Sequence, residues 1–146
     1  MRAQRGDRAD LIIIVDDDEA VRRALTLLLS SYGWNVAAFS SATALLAEGL
    51  PDQGPACIVV DQDMPDMTGI ALISALRQAG QGLPAILVSG GVDGRRHVEL
   101  AAAAIPCTVF LRKPIDADQL VGCIGRCLEG HPPLEPDQGR GGRPLP

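Results

Sequence analysis

Four stretches carry the side chains able to do chemistry. Asp16, Asp17, Asp18 and Glu19 follow directly on the apolar run LIIIV at 11–15. Asp61, Asp63 and Asp66 fall in DQDMPDMTG, which follows the run ACIVV at 56–60. Ser89, Gly90 and Gly91 end the run PAILVS at 84–89, and Lys113 comes just after CTVFL at 107–111. Like charges side by side repel, so acids crowded at the ends of buried segments call for a counter-charge. A hard divalent cation with oxygen ligands supplies one. Mg²⁺ suits a site with few protein ligands and a phosphate oxygen as partner. Lys113 is the single lysine among thirteen basic residues. A chain that otherwise uses Arg keeps Lys where a compact point charge is wanted. The Ser89 hydroxyl, the Lys113 ammonium and a divalent cation around Asp61 make an electrostatic cradle for phosphoryl oxygens. Asp61 is then the nucleophile, forming an acyl phosphate. Asp18 and Glu19 also suit a first helical turn, where the macrodipole favours anions.

These residues meet only if the chain folds to bring them together. Five short aliphatic runs, at 11–15, 34–39, 56–60, 84–89 and 107–111, alternate with stretches of three- and four-residue apolar spacing. The clearest of these holds Val21, Leu25, Leu28 and Leu29 and stops at Tyr32-Gly33. The others are Ala42–Glu48, Gly69–Ala79, Arg95–Ala104 and Asp116–Leu128, the last with Asp116 as N-cap. Such alternation predicts an α/β fold: a doubly wound, five-stranded parallel sheet with helices on both faces. Near-continuous apolar strands 1, 3 and 4 belong at its centre, and the mixed second strand nearer an edge. In such a sheet the site lies at the carboxyl ends of the strands, where strand order reverses. All of the candidate residues follow strands.

Composition narrows the class. Of 146 residues, 47% are apolar and only 3% aromatic, so the core is aliphatic and global disorder is excluded. A net charge of −5 argues against capture of nucleic acid or an anionic membrane by the folded body. No apolar run approaches the ~20 residues of a spanning helix, and MRAQRGDRAD lacks the apolar stretch of a secretory signal. A cytoplasmic protein is expected. Cys57, Cys107, Cys123 and Cys127 form no CxxC, and no His stands at zinc-ligand spacing, so they read as small thiols in a reducing compartment. One domain is expected over residues 10–129. Residues 1–9 and the Pro- and Gly-rich 130–146 are expected to be flexible tails.

The order of motifs resembles the receiver domain of bacterial two-component response regulators. VDDDEAVRRAL resembles the acidic pair and first helix of that family. VVDQDMPDMTG resembles its phosphoacceptor segment, ILVSGG its switch-hydroxyl strand and VFLRKP its Lys-Pro strand end. The resemblance spans about residues 10–129 and implies a flavodoxin-like strand order of 2-1-3-4-5. It implies that Asp16, Asp17, Asp61 and the main-chain carbonyl of Asp63 hold Mg²⁺, and that Asp61 is phosphorylated. It further implies that Ser89 and Lys113 attend the phosphoryl group, with Ser89 and Phe110 as the switch pair. Three features depart from the pattern. Asp63 is an acid where many relatives have a neutral or basic residue. The stretch from Ser89 to Lys113 is slightly long. The usual glycine before the fifth strand is missing from AAAAIPCTVF.

The resemblance implies a stand-alone receiver phosphorylated by a sensor histidine kinase or a phosphotransfer protein. Output would pass to a downstream protein target, by contact or by onward phosphotransfer, without nucleic acid or membrane. A homodimer through the helix 4–strand 5–helix 5 face is possible. Two alternatives remain at this level. One is a receiver-like interaction module that is never phosphorylated. The other is a phosphatase of the haloacid-dehalogenase type, for which Pro65 and the unexplained Asp16-Asp17 pair fit poorly.

Overall fold

A computed structural model describes residues 11–51, 57–90 and 95–129. The expected tails lie outside the described residues. The elements alternate as β1 (Leu11–Val15), α1 (Glu19–Ser30), β2 (Asn35–Phe39), α2 (Ala42–Glu48), β3 (Cys57–Asp61), α3 (Gly69–Gln78), β4 (Ala85–Ser89), α4 (Arg95–Ala103), β5 (Thr108–Arg112) and α5 (Ala117–Leu128). The five strands are all parallel and ordered β2-β1-β3-β4-β5, the doubly wound sheet that the alternation predicts.

Period two along each strand splits the interior into two cores. Ile12, Ile14, Cys57, Val59, Ile86, Val88, Val109 and Leu111 face α1 and α5, whose Leu25, Leu29, Leu120, Cys123, Ile124 and Cys127 complete that layer. The alternate residues Ile13, Val15, Ile58, Val60, Ala85, Leu87 and Phe110 face α2, α3 and α4. Every residue of β3 and β4 is buried, whereas β2 has only exposed and half-buried residues. Strands covered on both faces must be apolar throughout; an edge strand need not be. Three cysteines, Cys57, Cys123 and Cys127, are simply part of the first core.

Local chemistry sets the helix ends. Asp18 caps α1, accepting from the N–H groups of Ala20 (2.9 Å) and Val21 (3.3 Å). Asp116 caps α5 through the N–H of Gln119 at 3.2 Å. Both caps satisfy donors that a helix start otherwise leaves open.

The missing glycine before β5 has a structural counterpart. Cys107 takes its place with a positive φ of 56°, a region where a β-carbon crowds the following carbonyl. Arg77 of α3 holds this corner. Its guanidinium donates to the carbonyls of Pro106 (3.0 Å), Gln81 (2.9 Å) and Cys107 (3.3 Å). Cys107→Gly should therefore stabilise the protein by about 0.5–1 kcal/mol, because relief of left-handed strain exceeds the extra chain entropy of glycine. Urea unfolding would show a higher midpoint; an unchanged or lower one contradicts this account of the corner.

Candidate functional site

Strand order reverses between β1 and β3, so the crevice of this sheet opens at their carboxyl ends. The register pairs Val15 with Val60. The next residues, Asp16 just past β1 and Asp61 at the end of β3, therefore stand side by side at the carboxyl edge of the sheet. Both are buried, at 4% exposure each, while Asp17 is exposed. Carboxylate oxygens of Asp16, Asp17 and Asp61 all lie within 4.8 Å of one another. Lys113 reaches in from the end of β5, its Nζ 2.8 Å from Asp61 Oδ1. Gly90 makes room for it: a β-carbon there would stand 3.0 Å from Cδ of Lys113. The main chain is tied in as well, with the Lys113 N–H donating to the Ser89 carbonyl at 3.0 Å. The Lys113–Pro114 peptide bond is cis.

The charges in this crevice do not balance. Three carboxylates against one ammonium leave two negative charges uncompensated. Desolvation raises the carboxyl pKa of Asp16 above 3.8; the Asp18 N–H that donates to it at 2.9 Å only partly offsets this. Burial likewise raises Asp61, against the pull of Lys113. Partial burial depresses the Lys113 ammonium, but the Asp61 carboxylate beside it, with Asp16 and Asp63 behind, more than reverses that, so its pKa is raised. Among the described residues, Lys113 is the one cation on this cluster, its ammonium paired with Oδ1 of Asp61 at 2.8 Å. Three carboxylates within 4.8 Å, with two surplus negative charges, are the environment that a divalent cation with oxygen ligands completes. The donor set therefore fits Mg²⁺.

The other candidates are placed differently. Ser89 ends β4 and is buried at 3% exposure. Phe110 is buried at 6% and belongs to the core on the α2, α3 and α4 side, with Leu87 and Ala102. Asp63 is exposed, and its carboxylate is outside the three-acid cluster. Asp66 has left the cluster altogether. It accepts the N–H of Thr43 at 2.9 Å, binding the loop after β3 to the start of α2, and this bond holds its carboxyl below the usual range. Sequence spacing groups Asp66 with the other acids because it cannot show which way the loop turns.

Two further residues escaped the sequence reading. Arg22 of α1 donates through Nη1 to the Asp16 carbonyl at 2.8 Å, which fixes the main chain behind the acidic pair. Gln62, between two aspartates, ties the loop after β3 to the start of α3. A six-residue separation and an unremarkable Gln offer no periodic signal to find them by.

Comparison with known proteins places this crevice. A family model for the response regulator receiver domain matches residues 12–124. The chain belongs to the response-regulator receiver family. Among curated relatives, this receiver is 35% identical over 125 residues to the response regulator protein TodT of Pseudomonas putida, covering 84% of this chain and 53% of TodT. It is 37% identical over 116 residues to the transcriptional regulatory protein FixJ of Azorhizobium caulinodans, covering 79% of this chain and 53% of FixJ. The receiver thus spans about half the length of the curated relatives it matches. Of solved structures, FixJ-N superposes with a TM-score of 0.69 at 32% identity, covering 85% of this chain and 97% of that one. The response regulator StyR gives 0.72 at 33% identity, covering 83% and 60%. Receivers as a family take phosphate on an aspartate, bind Mg²⁺ in an acidic pocket and work with histidine kinases or phosphotransfer proteins. That sets aside a haloacid-dehalogenase phosphatase. Among the described residues no helix is long and apolar enough to cross a membrane.

Proposed function

We propose that this receiver accepts a phosphoryl group on Asp61 from the phosphohistidine of a sensor histidine kinase or phosphotransfer protein. The observation that carries the reading is the meeting of Asp16, Asp17 and Asp61 within 4.8 Å, with Lys113 2.8 Å from Asp61. Asp16, Asp17, Asp61 and the main-chain carbonyl of Asp63 would hold Mg²⁺. When bound, the ion offsets the repulsion between the carboxylate and the incoming anionic phosphoryl group.

An oxygen of Asp61 attacks phosphorus; the new P–O bond forms as the P–N bond breaks, and the imidazole leaves. Lys113, already on Asp61, pairs with a phosphoryl oxygen, and Ser89 donates its hydroxyl to another. Burial of Asp61 keeps water from competing for these groups. Phe110 sits beneath α4, so a change of its rotamer when Ser89 turns inward would alter the face made by α4, β5 and α5. That face would carry the output, to a downstream protein or as a homodimer contact. We further propose that this receiver works in the cytoplasm, without itself binding nucleic acid or membrane, and signals by protein contact or onward phosphotransfer. An exposed Asp63 adds negative charge at the rim and would tune metal affinity or the lifetime of the phosphorylated state.

Acetyl phosphate is a small donor that needs no cognate kinase. With Mg²⁺ it should add one phosphoryl group to the intact mass of the wild-type protein, and chelation should prevent the addition. An unchanged mass under both conditions contradicts the proposal and favours an interaction module that is never phosphorylated.

A further inference from the structure

The loop between β3 and α3, residues 62–68, begins directly after Asp61, and one residue at its start holds both of its ends. The Gln62 N–H donates to the Val88 carbonyl of β4 at 2.8 Å, and the Gln62 carbonyl accepts the N–H of Gly69 at 3.1 Å. Its side-chain Oε1 accepts the N–H of Ile70 at 2.9 Å. Gly69 and Ile70 are the first two residues of α3, whose N–H groups have no partner within the helix. Gln62 therefore caps α3 from outside the usual capping position, which Thr68 fills through the N–H of Ala71 at 3.2 Å. Gly69 permits the closure. A β-carbon there would stand 2.8 Å from the Asp61 carbonyl oxygen and 2.5 Å from Cδ1 of Leu87. Downstream, buried Met64 and the Asp66 bond to Thr43 pin the rest of the loop. Asp63 lies between the Gln62 and Met64 anchors, two residues after Asp61.

We propose that Gln62 is a positioning residue for the metal nest: its side-chain acceptor on Ile70 fixes the main chain of Asp63 against Asp61. This deepens, and rests on, the reading of the crevice as a Mg²⁺ site. Without the acceptor, the Ile70 N–H must turn to water and the first turn of α3 loosens from the loop. Asp63, one residue along, is then held upstream only by the main-chain bonds of Gln62 to Val88 and Gly69. Supporting hydrogen bonds behind a metal ligand govern affinity even though they never touch the ion.

Mg²⁺ affinity by titration calorimetry tests the proposal on the full chain. Gln62→Met keeps the length of the side chain but removes the acceptor, and should weaken binding on the order of tenfold. Gln62→Glu restores an acceptor at the same reach and should bind at least as tightly as wild type. Thr68→Val removes a cap from the same helix with a comparable loss of stability, yet should leave affinity unchanged. Wild-type affinity in Gln62→Met overturns the proposal while leaving the Mg²⁺ site intact. So does an equal loss in Thr68→Val, which would make the effect one of general helix loosening. If wild type itself binds no Mg²⁺, the reading of the crevice fails and the role of Gln62 fails with it.

Discussion

Asp61→Asn should make the metal-free protein more stable while abolishing phosphorylation. The gain is expected to be about 1 kcal/mol, or roughly 3–5 °C in melting temperature for a domain of this size. Its origin is electrostatic. Asp61 is a buried carboxylate beside those of Asp16 and Asp17, with one cation between the three. Its pKa in the folded protein is raised above 3.8 by burial. A carboxyl group whose pKa rises on folding costs stability when ionised, and that cost is lost as pH falls through the folded-state value. The stabilisation by Asp61→Asn should therefore be full at neutral pH and shrink on acidification. It should vanish below the ordinary value of 3.8, where wild-type Asp61 is neutral in both states. Mg²⁺ should reverse the order: it binds the folded wild type and stabilises it by mass action, but gains little from an amide. Thermal melts of both proteins across pH, with and without Mg²⁺, check this. A variant less stable than wild type without metal at neutral pH would contradict the account of a strained anionic nest.

Lys113→Met should have the opposite sign. Methionine keeps an apolar stem against Gly90, where the lysine carbons pack, but removes the cation 2.8 Å from Asp61. Breaking a fully buried pair costs about 3–5 kcal/mol. Here the lysine side chain is 32% exposed, so solvent screens part of the interaction and about 1–2 kcal/mol is expected. The apo variant should melt lower, and Mg²⁺ should stabilise it by a larger increment than it does wild type, because three carboxylates then lack any counter-charge. Acetyl phosphate labelling should fall sharply, since an oxygen of the transferred group loses its partner. Equal stability without metal, together with an unchanged increment from Mg²⁺, would show that the ion pair contributes nothing.

Much of this site is legible in the sequence because parallel strands are short, apolar and buried on both faces. Each such run ends where the chain turns polar, so the candidate residues mark their own position at the carboxyl edge. LIIIV followed by Asp16 and IVV followed by Asp61 place two acids at the switch point once the strand order is known. Side-chain direction in loops is less visible. Asp66 belongs to the same acidic segment as Asp61 and Asp63, yet a turn of the chain sends it to the N–H of Thr43. Nothing periodic marks Arg22 or Gln62 as supports, since their bonds to Asp16 and Ile70 depend on tertiary closure rather than on helix or strand spacing. The corner before β5 shows a third limit. A missing glycine in AAAAIPCTVF suggests remodelling, but the left-handed turn survives with Cys107 in it because Arg77 holds three carbonyls around it.

Locating the transferred phosphoryl group tests the central claim most directly. After reaction with acetyl phosphate and Mg²⁺, borohydride converts an aspartyl phosphate to homoserine, which tandem mass spectrometry assigns to one position. The account predicts homoserine at residue 61 in wild type and none in Asp61→Asn. Conversion at another aspartate, or at no residue in protein that has bound Mg²⁺, would contradict it.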